Sequence, residues 1–270
     1  MNEARGISEE NRARLESLHR ALRGPFSVLD AAGAWRVARP RARRLLAQLT
    51  EQGWLTRVRR DTYVTVPLGA TMPGDWRADP WVVAAAVFDP CYVAGWSACE
   101  HWGLTEQIFR DVWVVTSRRV SPHVQEIQST TFNIKVTRPD RLFGLSTVWR
   151  DGTKVLVSDP SRTVVDLLDD PRIGGGMRHV AEVVGEYFSG EHRRDHELIE
   201  DAGRLGNGAV FKRLGYLLEL LNIEAGEVVA ACGERLTAGV SMLDPTGPDG
   251  GRTTRRWRLR LNVVLSGGGE

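Results

Sequence analysis

Arg39, Arg41, Arg43 and Arg44 fall inside the stretch "ARPRARRLLAQL", Ala38 to Leu49, and no acid interrupts them. Gln48 follows one helical turn after Arg44. A guanidinium is a rigid planar fork that can grip guanine or a phosphate through two parallel bonds. An amphipathic surface helix ordinarily mixes both signs on its polar face, so a face of one sign points to a negative partner. Arg57, Arg59 and Arg60 follow in "WLTRVRRDTYVTV" and extend the same chemistry. The plain alternative is a solvated face in an arginine-biased protein, because the chain carries 33 Arg against 3 Lys. Clustering, not abundance, therefore carries the signal.

The charge distribution agrees. Residues 1–72 hold 13 Arg and 7 acids, a balance of +6, whereas residues 73–270 hold 23 basic and 27 acidic residues, a balance of −4. The net charge of +2 hides this asymmetry, which points to double-stranded DNA or another acidic surface as the partner of the basic end.

Elsewhere the chemistry is thin. Cys91, Cys99 and Cys232 form no C-x-x-C pair. An odd count argues against a disulfide framework and for reduced thiols in a cytoplasmic protein. Cys99 and His101 lack further ligands at sensible spacing, so neither metal nor cofactor is expected. "HRRD", His192 to Asp195, lacks the spaced Asn of a kinase catalytic loop. Gly174 to Gly176 precede a helix and read as a plain loop rather than an anion site. Asp159 and Asp166 with Lys154 make no convincing nuclease constellation, and "NIK", Asn133 to Lys135, has Asn where such a site needs an acid. No enzyme is expected. The charged N-terminus does not read as a signal peptide. No apolar run approaches the ~18–20 residues of a membrane span.

The elements that must position the arginines are legible. Ser8 caps a first helix bearing Leu15, Leu18 and Leu22, with Gly24 to end it. Ser27 caps a second in "SVLDAAGAW". The third begins near Pro40, buries Ala42, Leu45, Leu46 and Leu49, and stops at Gly53. Leu55–Arg59 and Thr62–Val66 form a hairpin around an "RD" turn. Three short helices and a basic hairpin are the layout of a winged helix-turn-helix, whose third helix enters the major groove.

The chain is long enough for about two domains: 1–72, the winged helix-turn-helix, and 73–270, a larger α+β domain. "MPGDWRADP", Met72 to Pro80, reads as the linker, with its tryptophan as a tether. Strands are expected in "CYVAG", "DVWVVTS", "FNIKVT", "TKVLVSD" and "RRWRLRLNVV". Helices are expected in "PWVVAAAVF", "WSACEHWGL", "DPSRTVVDLL", "MRHVAEVVGEYF", "HELIEDAG" and "FKRLGYLLELL". The mixed order gives an α+β class. Arg162 and Asp166 share a face of "DPSRTVVDLL". They make either an exposed pair worth ~0.2–0.5 kcal/mol, a structural anchor, which is the favoured reading, or a contact to a partner.

Five segments in order resemble AbiEi-type antitoxins of type IV toxin–antitoxin (abortive infection, phage defence) systems. They are "RARRLLAQLTEQGWLTRVRRDTYVTVP", "YVAGWSACEHWGLTEQ", "VLVSDPSRTVVDLLDDPRIGGG", "RLGYLLELL" and the close "SMLDP" with "WRLRLNV". The resemblance covers about residues 25–265 and marks Asp159, Arg162, Thr163 and Asp166 as a motif of the larger domain. It departs at the hairpin turn, where the family often has Gly and this chain has Asp61. "HVQEIQSTTFN" matches nothing in the pattern. The resemblance implies an autorepressor that binds inverted repeats in its own promoter. It implies a second domain that counters a nucleotidyltransferase toxin; relatives differ in whether they bind that toxin. The alternatives are a winged-helix protein fused to a nuclease-like domain or to a ligand-sensing domain.

Overall fold

A computed structural model describes residues 8–22, 24–66 and 76–265. The fold is α+β: an N-terminal module of helices and short strands, followed by a larger mixed domain.

The module opens with α1 (Glu9–Ala21), where the Ser8 hydroxyl accepts from the Asn11 amide and two glutamates occupy the first turn. The helix stops at Ala21, short of Gly24. That glycine has φ +75°, and a Cβ there would strike Thr153 of the larger domain. Next come β1 (Phe26–Ser27) and α2 (Val28–Trp35), whose start is a reciprocal capping box between Ser27 and Asp30. Arg36, left-handed at φ +53°, turns the chain into α3 (Arg39–Glu51). Ala42, Leu46 and Leu49 bury the inner stripe of α3 against Leu15, Leu18 and Ala31. Leu45, expected in that stripe, is only half-buried. The hairpin β2 (Leu55–Arg59) and β3 (Thr62–Thr65) forms as expected, and β1 adds to β3 to complete a three-stranded sheet.

The larger domain is built on a six-stranded mixed sheet of order β6-β7-β5-β4-β9-β8. Its strands are β4 (Cys91–Ala94), β5 (Val112–Thr116), β6 (Val124–Ile127), β7 (Thr130–Val136), β8 (Leu145–Arg150) and β9 (Thr153–Ser158). The apolar helix α4 (Pro80–Phe88), capped by Asp79, packs on this sheet. The second core gathers α5 (Gly95–His101), α6 (Pro160–Asp169), α7 (Met177–Ser189), α8 (Asp195–Leu205), α9 (Gly208–Leu220) and α10 (Gly226–Glu234). Asp159 caps α6 with Pro160 in its first turn, as the sequence requires.

Several expectations need correction. "HVQEIQSTTFN" is the β6–β7 hairpin, turned by Gln128 and Ser129 in left-handed conformations. The strand expected across "RRWRLRLNVV" shrinks to β12 (Leu259–Leu261), which pairs with β10 (Ser241–Met242) and β11 (Arg252–Thr254). Arg258 at φ +52° breaks the extended chain before it. The linker expectation falls mostly on residues 67–75, outside the described residues. Trp76 does pack partly buried on the α4 core, as a tether would.

Candidate functional site

The α3 face comes first. The side chains of Arg39, Arg41, Arg43, Arg44 and Gln48 are all exposed: Arg44 lies opposite the buried stripe of Ala42, Leu46 and Leu49, with Arg41 and Gln48 on one flank and Arg39 and Arg43 on the other. The helix starts at Ala38 with no side-chain cap bond, and its first turn holds no acid. The Arg41 and Ala42 amides bond the Ala38 carbonyl and Pro40 has no amide hydrogen, so what this end offers a partner is its positive dipole and its arginine side chains. Arg39, Pro40, Arg43, Arg44 and Ala47 line an open hollow of about 550 Å³ there.

The hairpin beside α3 is not equally free. Arg59 Nη1 donates to the Val87 carbonyl at the end of α4, at 2.8 Å. Arg118 Nη1 donates to the same oxygen at 3.0 Å. Val58 and Val64 are buried in the α4 core, so the hairpin is docked on the larger domain. Arg57 Nε bonds the Arg59 carbonyl at 3.2 Å, and Arg60 is exposed at the turn. The sequence placed all three arginines against one surface; the structure turns part of Arg59 inward. At the tip, Asp61 reaches α3. Arg43 Nη2 lies 3.2 and 3.4 Å from its two oxygens, and Arg39 Nη2 lies 3.7 Å away. Arg41 and Arg44 pair with no carboxylate among the described residues.

The α6 motif is a different kind of object. Arg162 is 1% exposed and Asp166 3% exposed. Arg162 Nε donates to Asp166 Oδ1 at 3.0 Å, and Nη2 donates to the Tyr92 hydroxyl at 3.1 Å and the Arg141 carbonyl at 3.2 Å. The Tyr92 hydroxyl donates to Asp166 Oδ2 at 2.9 Å, closing a ring of three side chains. Burial pushes the Asp166 carboxyl up, and Arg162 opposes it. Phe143 lies between the guanidiniums of Arg162 and Arg204, 4.1 and 4.0 Å from its ring centre. Thr163 Oγ1 bonds the Ser158 carbonyl at 3.1 Å, and the Asp159 carboxylate accepts from the Arg162 amide at 2.8 Å. The exposed-pair reading of Arg162 is therefore overturned by burial: the motif residues anchor α6 to β4 and to the loop before β8.

Sequence reasoning missed Tyr92 and Arg213. Arg213, on α9, is 3% exposed and donates to the Leu168 carbonyl at 2.6 Å and the Leu243 carbonyl at 3.0 Å. It closes the far end of α6. The signal for both was a polar tip inside an otherwise apolar run.

Asp201 on α8 stands near this cluster. Burial, with the Asp159 charge adding to it, pushes its carboxyl up to about 6. A folded-state value above the unfolded ~3.9 means ionised Asp201 costs stability, and that cost disappears as pH falls from 6 towards 4. Asp201→Asn should therefore raise the melting temperature at pH 7.5 by a few degrees, from ~1 kcal/mol after allowance for solvent screening. The gain should vanish at pH 4. A variant that melts with wild type at both pH values would show that Asp201 carries no such cost.

The remaining sequence candidates do not converge. Lys135 of "NIK" pairs with Asp169 at 2.8 Å and Asp170 at 3.5 Å. Asp244 accepts from the Met177 amide at 2.9 Å, so the helix start after Gly174–Gly176 already holds an internal carboxylate. All three cysteines are buried and free, and burial pushes the thiols of Cys91 and Cys232 up to about 12. Among the described residues, no group of three His, Cys, Asp or Glu is placed to hold a metal. No helix there is long and apolar enough to cross a membrane.

The geometry defines an α+β chain with one exposed cationic helix face and one buried ionic anchor. No family model matches the chain, and no curated protein does. Among solved structures, the RV2827C protein from Mycobacterium tuberculosis is similar, with a TM-score of 0.64 at 14% identity. The match covers 95% of this chain and 92% of that one. At that identity the likeness is one of fold.

Proposed function

We propose that the chain is a DNA-binding repressor and antitoxin of the AbiEi type, not an enzyme. In this reading α1–α3 with the β2–β3 hairpin are a winged helix-turn-helix, and α3 enters the major groove. The carrying observation is the exposed set Arg39, Arg41, Arg43, Arg44 and Gln48 on a helix whose first turn holds no acid. In helix-turn-helix proteins that end of the recognition helix meets base edges. Arg57 and Arg60 lie where a wing meets phosphates, and Arg59 secures the wing to the rest of the chain. The larger domain counters a nucleotidyltransferase toxin. That half rests on the sequence resemblance and on the presence of its Asp159, Arg162, Thr163 and Asp166 motif as one organised unit. The nuclease alternative has Asn133 where such a site needs an acid.

The test is a gel shift of the full chain on DNA from upstream of its own gene. Affinity should fall steeply with salt, with a slope of about −0.9 in log K per phosphate neutralised. Arg41→Ala combined with Arg44→Ala should abolish preference for that DNA over random duplex. Unchanged preference in that variant rejects the α3 assignment. Growth rescue against a neighbouring nucleotidyltransferase, if one is encoded there, tests the antitoxin half separately.

A further inference from the structure

Asp61 is an acid where a DNA-binding surface needs none. It occupies the hairpin turn at φ +61° and spans the gap to α3, with Arg43 at 3.2 Å and Arg39 at 3.7 Å. The hairpin carrying it is fixed from below, because Val58 and Val64 are buried and Arg59 bonds the Val87 carbonyl at 2.8 Å. The carboxylate is therefore held beside the first turns of α3, between two guanidiniums. A phosphate oxygen approaching α3 would seek the same donors.

We propose that Asp61 is an internal competitor for the DNA backbone, holding Arg39 and Arg43 in ion pairs that a duplex phosphate must displace. The inference rests on the DNA-binding reading above. Arg41, Arg44 and Gln48 stay outside the contact, so their access to bases does not depend on it. The consequence is a ceiling on electrostatic affinity: the module carries its own anion and sheds it only where DNA docks closely. Nonspecific binding is almost wholly a phosphate contribution, so it feels this competitor directly.

Binding of the full chain to a random duplex, at several salt concentrations, tests it. Asparagine tolerates left-handed backbone well, so Asp61→Asn keeps the turn while removing the charge. It should bind random duplex roughly fivefold to tenfold more tightly at low salt, the scale of two exposed ion pairs. The salt slope should steepen by about 0.9, one more net positive charge. Glu51→Gln removes another exposed acid of the module and should change affinity less than twofold. The decisive comparison is Asp61→Asn in an Arg39→Ala, Arg43→Ala background, where the gain should disappear. An equal gain in both backgrounds, or no gain in either, overturns the competitor while leaving wild-type DNA binding intact. Absence of duplex binding by wild type and by Asp61→Asn removes the DNA-binding reading itself, and the competitor with it.

Discussion

Arg162→Ala should lower the melting temperature by on the order of 10 °C. Removing one partner of a buried ion pair costs about 3–5 kcal/mol, and a domain of this size loses about 2–4 °C per kcal/mol. An exposed pair at the same spacing would cost only ~0.2–0.5 kcal/mol, so the two readings differ by far more than a thermal melt can miss. The mechanism predicts a pH signature as well. Without Arg162, Asp166 keeps the Tyr92 hydroxyl as its hydrogen-bond donor and the charge of Lys135, offset by that of Asp169, and burial then pushes its carboxyl further up. A carboxyl raised in the folded state costs stability when ionised and recovers it as pH falls towards the unfolded value. The deficit of Arg162→Ala should therefore be smaller at pH 5 than at pH 8. Adding Asp166→Asn to Arg162→Ala should recover part of the loss at pH 8 and little at pH 5. Arg162→Lys should rescue poorly, because an ammonium cannot reach Asp166, Tyr92 and the Arg141 carbonyl with a planar fork. DNA binding, measured well below the melting point, should be unaffected, because the anchor touches no part of α3. A deficit of under about 2 °C would overturn the anchor.

What could be read ahead divides along the range of the interactions. The three N-terminal helices and the hairpin follow from local signals. Ser8 and Ser27 cap, Pro40 sits in a first turn, and Asp61 tolerates left-handed backbone in the tight turn. The α3 arginines were legible because helical spacing keeps Arg41, Arg43 and Arg44 off the stripe of Ala42, Leu46 and Leu49. The burial of Arg162 was not, since i, i+4 spacing is the same on a surface and in a core. Burial depends on Tyr92, 70 residues upstream, and on the Arg141 carbonyl. Of the β6–β7 hairpin only β7 was legible, in "FNIKVT"; β6 was hidden because Gln128 and Ser129 turn the chain without Gly, Asn or Asp. The C-terminal alternation was real as a burial pattern at Trp257 and Leu259, yet β12 is only three residues long. Asn262 is buried instead of exposed, bonding Asp244 from both ends of its amide, and that long-range pairing ends the strand. The docking of the hairpin on α4 escaped for the same reason: Val58 and Val64 read as ordinary strand residues, and their partners, such as Val83 and Val87, lie about 20 residues or more further along the chain.

Arg213→Ala should be comparably damaging, by a different route. No carboxylate bonds the Arg213 guanidinium directly; carbonyl oxygens do. It donates to Leu168 and Asp169 at 2.6 and 3.3 Å, and to Met242 and Leu243 at 2.9 and 3.0 Å. Leu168 and Asp169 close α6, so a cation there completes a helix end whose last carbonyls have no amide partner. Met242 and Leu243 belong to the β10 segment, so one side chain ties α9, α6 and the small C-terminal sheet together. Alanine would leave these carbonyls buried without a donor, at ~1–3 kcal/mol for each one that water cannot reach. A loss of several kcal/mol follows, again on the order of 10 °C. Arg255→Ala, at an exposed position in the turn before β12, should fall within ~0.5 kcal/mol of wild type. Because the damage is to a junction, hydrogen exchange should show β10–β12 opening first while the six-stranded sheet keeps its protection. Wild-type exchange in β10–β12, or a melt matching wild type, would refute the junction. Arg162 and Arg213 hold opposite ends of the same ten-residue helix, too close for independent effects. Once either end of α6 is released, part of what the other end secures is already lost. The double variant should therefore lose less than the sum of the two single losses. Full additivity would show that α6 stays docked on its apolar side, Val164, Val165, Leu167 and Leu168, whichever anchor is cut.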